Sequence, residues 1–287
     1  MSQAASLQEH SYYYPFVKWA GGKTQLLSRL DRLLPAEFNR YFEPFLGGGA
    51  VFFHLLSRRG RFDAFLSDIN TDLITAYNAV KGDVDRLIGV LQRHQAKFRE
   101  GRGRYYYALR ESRPPQDDTG RAARLIMFNK TCFNGLYRVN RSGRFNVPLG
   151  SYANPRICDE EALRQASRAL KISDARLTND HYADTLKKAG RNDLVYLDPP
   201  YSPTSGTSRF TEYTSMGFGD GDQRELAETF ARLTDRGCKV ILSNSDTPLI
   251  RRLYLEYAQD RVQALRAINC KPGRRRGHAE LFIRNFV

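Results

Sequence analysis

Residues 193–201 read Asp-Leu-Val-Tyr-Leu-Asp-Pro-Pro-Tyr. An apolar run of four ends there on a carboxylate and two prolines, the pattern of a fully buried strand that runs into a stiff loop. Three other stretches have the same shape: RYFEPFLGGG (40–49), RFDAFLSDIN (61–70) and KVILSNSD (239–246). Helical patterns accompany them at 50–57 and 222–234, the second with Asp222 as its expected N-cap. Repeated strand–loop–helix units predict a doubly wound α/β sheet with its ligand site at the carboxyl ends of the strands. Further on, 262–268 and 279–286 predict an antiparallel hairpin on the sheet edge, turning through KPGRRRG (271–277).

The 287 residues carry 45 Lys+Arg against 31 Asp+Glu, a formal charge of +14. A surplus of that size points to a polyanionic partner, nucleic acid first. It is concentrated: Arg86 to Arg144 holds 14 basic and 4 acidic residues, +10 of the +14. The same segment is rich in aromatic and turn residues, RYYYALRESRPP (104–115) and NKTCFNGLYRVNRSGRFNVPLG (129–150). About 130 residues separate the SDIN loop from DPPY, too many for one crossover connection. The expected organisation is an α/β domain of residues 11–75 and 171–287, interrupted by a mainly helical inserted domain over 76–170.

With 41% hydrophobic and 26% charged residues, the proportions are those of an ordinary globular protein. No stretch approaches the ~20 apolar residues of a membrane span. The segment MSQAASLQEHSYYY lacks the apolar centre of a signal peptide. Cys132, Cys158, Cys238 and Cys270 form no CxxC pair and have no histidine at metal-ligand spacing. The expectation is a cytoplasmic protein with reduced thiols and no metal. Integral membrane proteins, small secreted scaffolds and disordered chains are excluded.

Asp198, Pro199, Pro200 and Tyr201 gather a carboxylate, stiffened carbonyls and an aromatic ring within four residues. That set suits an exocyclic amine on a flat heterocycle: two acceptors hold the NH₂ and the ring stacks on the base. A plain strand-ending turn is the competing reading. Gly47, Gly48 and Gly49, after one strand and before a helix, allow close backbone approach of a nucleoside cofactor. GxGxxG is incomplete because Phe52 occupies its third glycine position, which disfavours a dinucleotide. Asp68 lies where an acidic side chain takes ribose hydroxyls, or else it caps the helix that follows. The GGKT of residues 21–24 is no phosphate loop, since Val17 stands where the first glycine belongs. Trp19, beside Lys23, offers an apolar wall and a cation for a carboxylate, or a buried ring packing a helix end.

FVKWAGGKT (16–24), FEPFLGGGAVFF (42–53), SDIN (67–70), NGLYRVNRSGRFNVPLG (134–150) and DPPY (198–201) stand in that order. Together they resemble the Dam-type, alpha-class DNA adenine-N6 methyltransferases of the D12 class, from about residue 16 to 286. The resemblance implies a Rossmann-like, doubly wound α/β methyltransferase fold with an inserted DNA-recognition domain. It implies S-adenosylmethionine as cofactor, S-adenosylhomocysteine as product, and a flipped-out adenine in double-stranded DNA as substrate. It places Trp19, Lys23, Phe45, Gly47, Gly48, Gly49, Asp68, Asp198 and, by a looser match, Asp180 around the cofactor. Asp198, Pro199, Pro200 and Tyr201 become the catalytic turn that holds the target amine.

The same resemblance puts Lys18, outside the insert, and Phe133, Asn134, Leu136, Arg138 and Pro148, within it, on DNA. Arg138 suits a guanine O6/N7 edge, Leu136 and Pro148 suit apolar base contacts, and Phe133 or Asn134 suits the gap left by the flipped base. Arg102 and Arg104 read as phosphate contacts or solvated charges. GATC is the family's commonest site and the expected one. A solution monomer is expected, with any cognate restriction endonuclease acting without direct contact. Three other readings stand beside this one: a cytosine-N4 methyltransferase, which usually carries serine at position 198, a glutamine or RNA methyltransferase, which more often carries asparagine there, and a catalytically silent DNA-binding regulator of the same fold. Finally, Ser202–Asp222 is expected to be a mobile loop that orders over the flipped base.

Overall fold

The computed structural model describes residues 12–201, 218–264 and 278–286. Among these residues, seven strands form one sheet: β1 (Arg40–Glu43), β2 (Asp63–Ser67), β3 (Arg176–Thr178), β4 (Leu194–Leu197), β5 (Lys239–Ser245), β6 (Ala258–Ala264) and β7 (His278–Arg284). Their order is β3-β2-β1-β4-β5-β7-β6. The first five are parallel, and β7 runs antiparallel between β5 and β6. The expected doubly wound sheet and edge hairpin are both present; the turn through 265–277 lies outside the described residues. The winding reverses between β1 and β4, where Tyr41 faces Leu194 and Phe42 faces Val195. A crevice therefore opens at the carboxyl ends of these two strands, where the glycine triplet and DPPY both emerge.

The helices are α1 (Leu27–Leu30), α2 (Ala50–Arg59), α3 (Thr71–Gly82), α4 (Val84–Glu111), α5 (Asp118–Thr131), α6 (Glu160–Ile172), α7 (Tyr182–Leu186), α8 (Asp220–Asp235) and α9 (Pro248–Leu253). Strand alternation divides the core between the two faces of the sheet. Tyr41, Leu66, Tyr196 and Ile241 face one side with α2, α3 and α5. Phe42, Phe65, Val195 and Leu242 face the other with α7, α8 and α9. The first core runs without a break into the helices between β2 and β3, through Phe98, Tyr106 and Phe128. The expected insert limits at 76 and 170 fall inside α3 and α6. Long α4 is broken at Arg102 (φ 36°), between Gly101 and Gly103, where poor helix formers permit a kink.

Two local expectations are corrected. Helix α8 begins at Asp220 with Gly219 as its N-cap; Asp222 is its third residue, and its Oδ2 accepts the Gly219 N–H at 2.7 Å. A carboxylate at that position reaches back to the cap, so the helix is as expected but begins three residues earlier than Asp222 suggested. The loop expected over 202–222 accordingly ends at the first turn of α8, and its 202–217 portion lies outside the described residues. Asp68 caps no helix: Asn70 does so for α3, its side chain accepting the Leu73 N–H at 3.0 Å. Among the described residues, no helix is long and apolar enough to cross a membrane.

Candidate active site

Strand β4 is buried along its whole length and delivers Asp198 directly to the crevice. Both carboxylate oxygens are held. Lys23 Nζ lies 2.7 Å from Oδ2, and the Ser243 hydroxyl donates to Oδ1 at 2.8 Å. Lys23 is only 4% exposed and also donates to the Gly21 carbonyl at 2.6 Å. Its ammonium stands 4.8 Å from the Tyr201 ring centroid. The Tyr201 hydroxyl donates to Glu280 Oε2 at 2.7 Å. Gln223 donates to the Pro200 carbonyl at 3.1 Å and is itself fixed by Asn244 Nδ2 at 2.9 Å. The Pro199 carbonyl accepts no hydrogen bond among the described residues. A turn with one oriented carboxylate, one open carbonyl and one anchored ring is the result.

Glu43, at the end of β1, lies beneath this turn. It is 2% exposed and accepts the Tyr41 hydroxyl at 2.9 Å. Burial, reinforced by the charge of Asp198, raises its pKa to about 8, although Lys23 and the Tyr41 and Phe52 donors pull the other way.

The glycine loop is built around Trp19. Gly47 and Gly49 have φ of +49° and +68°. A Cβ on Gly47 would meet Trp19 Cδ1 at 2.8 Å, one on Gly48 would meet Trp19 Cβ at 3.3 Å, and one on Gly49 would meet the Tyr77 hydroxyl at 2.7 Å. The triplet thus serves protein packing as well as any approach of a ligand. Asp68 ties the loop down, accepting the Gly47 N–H through Oδ2 and the Asn70 N–H through Oδ1, both at 2.9 Å. Burial pushes the Asp68 carboxyl up, opposed by those two donors. Phe45 stacks on Tyr182 with centroids 5.3 Å apart. Asn179 donates to the Asp68 carbonyl at 2.8 Å and accepts from Thr71 Oγ1 at 2.8 Å, which carries its neighbour Asp180 beside the same loop. Aromatic faces with acidic groups at their margin suit a nucleoside that bears ribose hydroxyls and a positive charge.

The residues expected on DNA lie on the loop after α5 and on the strand of chain beside it. Asn129 locks Lys18 there by two backbone bonds, N–H to Oδ1 at 2.9 Å and Nδ2 to the carbonyl at 2.6 Å. The Lys18 ammonium sits 4.8 Å from the Tyr152 ring centroid. Phe133 is 38% exposed, and its N–H donates to the Pro148 carbonyl at 2.9 Å. Asn134 takes a left-handed conformation, φ 55°. Leu136 packs partly against the core. Arg138 is exposed and steered by its Nε bond to Asn146 Oδ1 at 2.8 Å, within a hairpin bridged by Val139 and Phe145. Arg102, by contrast, donates to the Tyr152 carbonyl at 2.9 Å.

Sequence reasoning missed Glu43, Ser243, Gln223 and Glu280 as parts of this site. It also missed Tyr137, which stacks on Trp19 at 5.8 Å and donates to Asp72 Oδ2 at 2.9 Å. Polar residues at the carboxyl end of an otherwise apolar strand, as in KVILSNSD, were the available signal for Ser243.

Comparison with known proteins gives one answer. The family model described as D12 class N6 adenine-specific DNA methyltransferase matches residues 19–268. The Type II methyltransferase M.MjaIII of Methanocaldococcus jannaschii is 43% identical over 292 residues, covering 95% of this chain and 99% of its own. The Type II methyltransferase M1.LlaDCHI of Lactococcus lactis subsp. cremoris is 39% identical, with 95% of each chain covered. The DNA adenine methylase of Serratia marcescens is 37% identical, covering 88% of this chain and 92% of its own. On the strength of these matches, spanning the sheet, the helical insert and the crevice alike, the chain belongs to the D12 class N6 adenine-specific DNA methyltransferases.

Proposed function

We propose that this chain methylates N6 of a flipped-out adenine within GATC in double-stranded DNA, with S-adenosylmethionine as donor, and that the crevice described above is where it does so. The observation that carries the assignment is the pair of acceptors at the DPPY turn. Asp198 is fixed between Lys23 and Ser243, while the Pro199 carbonyl stays open because Gln223 engages Pro200 instead.

The N6 lone pair of adenine is delocalised into the ring, which makes the amine a poor nucleophile. Accepting its two hydrogens at Asp198 and the Pro199 carbonyl draws the nitrogen toward a pyramidal geometry and raises its electron density. Tyr201 stacks on the base and holds the ring plane. When bound, S-adenosylmethionine would supply an electrophilic methyl group on a sulfonium, with S-adenosylhomocysteine as product. Asp198, which accepts an N6 hydrogen, would pass on the proton that N6 gives up as the N–C bond forms and the C–S bond breaks. Trp19, Phe45, Gly47–Gly49, Asp68 and Asp180 hold it at the mouth of β1 and β2. What the protein contributes to the barrier is position and preorganised charge.

The helices and hairpin between α3 and α6 read the DNA in this proposal. Arg138 meets a guanine edge, Leu136 and Pro148 touch bases, Phe133 or Asn134 fills the vacated position, and Lys18 and the remaining cations meet the backbone. Action as a monomer, without direct contact with a cognate restriction endonuclease, is part of this proposal.

The test is methylation of plasmid DNA by the wild type and by Asp198→Ala, followed by mapping of the modified adenines. The wild type is expected to mark GATC. The variant is expected to bind DNA but to lose about 10²-fold or more in rate, as loss of a charged transition-state contact demands. Full activity of Asp198→Ala would remove the assignment of the turn, and marks at another sequence would remove GATC.

A further inference from the structure

The reversed strand β7 does more than close the sheet. In register, its Glu280 stands opposite Ser245 of β5, and its Phe282 stands opposite Ser243. Paired residues share a face, and residues two apart along a strand do too. Glu280 therefore projects from the same face of the β5–β7 pair from which Ser243 reaches Asp198. From there it accepts the Tyr201 hydroxyl at 2.7 Å, a length typical of a charge-assisted O–H···O⁻ bond.

Two observations argue against a merely structural role. A second carboxylate in this crevice acts against the charge of Asp198: burial raises the Tyr201 phenol, and both charges raise it further. A neutral acceptor would anchor a phenol without that repulsion. In addition, the Tyr201 ring already carries a cation 4.8 Å from its centroid, the Lys23 ammonium, so an electron-rich π face is in use at this site.

We propose that Glu280 is a positioning residue for methyl transfer, fixing the plane of the Tyr201 ring and enriching its π face so that the base is held as positive charge develops on it. The proposal rests on the reading of Tyr201 as the ring that stacks on the target adenine. Glu280 touches no reacting atom; it acts through Tyr201.

Single-turnover methylation of a GATC duplex tests this with Glu280→Gln, Glu280→Ala, Tyr201→Phe and the Tyr201→Phe/Glu280→Ala double variant. Loss of one charged hydrogen bond is expected to slow Glu280→Ala by about 10- to 100-fold. Its KM for S-adenosylmethionine should stay within about threefold, since the effect lies in the transition state. Glu280→Gln, which keeps an acceptor but not the charge, should recover part of the rate and not all of it. Tyr201→Phe should match Glu280→Ala, and the double variant should be no slower than either, because both remove the same bond.

A Glu280→Ala rate equal to wild type overturns the proposal, as does a double variant slowed by the product of the single effects. Full recovery by Glu280→Gln overturns the part assigned to charge. Should Glu280→Ala fail to fold, the cycle of Tyr201→Phe with Glu280→Gln decides in the same way: non-additive rates support the proposal and multiplicative rates overturn it. Tyr201→Ala separates the two levels of the argument. If it keeps the full rate, the stacking role of Tyr201 itself is wrong; if it is slow while Glu280→Ala is not, only the role of Glu280 falls.

Discussion

Lys23 and Asp198, 175 positions apart in sequence, meet in a 2.7 Å ion pair in the crevice between β1 and β4. Lys23 lies in the segment that resembles a cofactor-binding motif, yet in the structure its ammonium is committed to the DPPY carboxylate, the Gly21 carbonyl and the face of Tyr201. Removing it strands a partly buried carboxylate. Lys23→Met is therefore expected to lower the methylation rate by about 10²-fold, as breaking a hydrogen-bonded charge pair does. KM for S-adenosylmethionine should move much less. Steady-state kinetics check this; a rise in KM at unchanged kcat would return Lys23 to the cofactor.

Glu43 gives the fold a pH dependence. Its carboxyl titrates near 8 in the folded chain against 4.5 for an ordinary glutamate. Between those values the unfolded state releases the proton and the folded state keeps it, so stability falls as pH rises from about 5 to 8 and levels off above. Glu43→Gln keeps an acceptor for Tyr41 and has no proton to lose. Thermal melting of the two proteins from pH 5 to 9 should show a decline in the wild type that is flattened in the variant. Parallel curves would mean that Glu43 is ionised when buried.

Gly47→Ala should damage stability and the cofactor site together. The residue sits at φ +49°, and the new methyl carbon would lie 2.8 Å from Trp19 Cδ1. Strain and overpacking of this kind cost about 1–3 kcal/mol. Trp19 is the single tryptophan of the chain, so its fluorescence reports the displacement directly. An unchanged emission spectrum together with an unchanged melting temperature would contradict the packing described here.

Arg138 and Arg102 should separate by role. Arg138→Ala is expected to erode discrimination at one guanine position by about 1–3 kcal/mol, measured as rates on the preferred site and each single-base variant at fixed salt. Arg102→Ala should weaken all sequences alike and reduce the salt dependence of binding. A uniform loss on changing Arg138 would make it a backbone contact.

The sheet was legible because its strands are unmistakable: Leu194–Leu197 is apolar without interruption, and each strand of the crevice ends in polar or glycine residues. Helices α3 to α6 do lie between β2 and β3, the stretch in which the basic residues between Arg86 and Arg144 and the distance between SDIN and DPPY predict an inserted domain. What escaped were contacts made across long separations by residues of ordinary type. Ser243 and Glu280 join the DPPY turn only after β5 and β7 are laid side by side, and nothing in a linear pattern ranks one strand serine above another. The glycine triplet was read for ligand approach alone, because the ring that presses on it comes from some thirty positions earlier. Asp222 was placed at a helix start because a carboxylate two places inside the first turn and one at the cap leave the same trace in sequence.

Trp19 touches two parts of the molecule at once: its ring edge rests on Gly47 and its face is stacked on Tyr137, between Leu136 and Arg138. In the proposed function, a rotation of this one indole would be felt both in the cofactor site and among the residues assigned to the base edges. Thermodynamic reciprocity then fixes what titrations must find. Whatever factor the methyl donor adds to the affinity for a cognate duplex, that duplex adds to the affinity for the methyl donor, and loosening the Trp19–Tyr137 stack with a smaller residue at 137 should reduce both factors by the same amount.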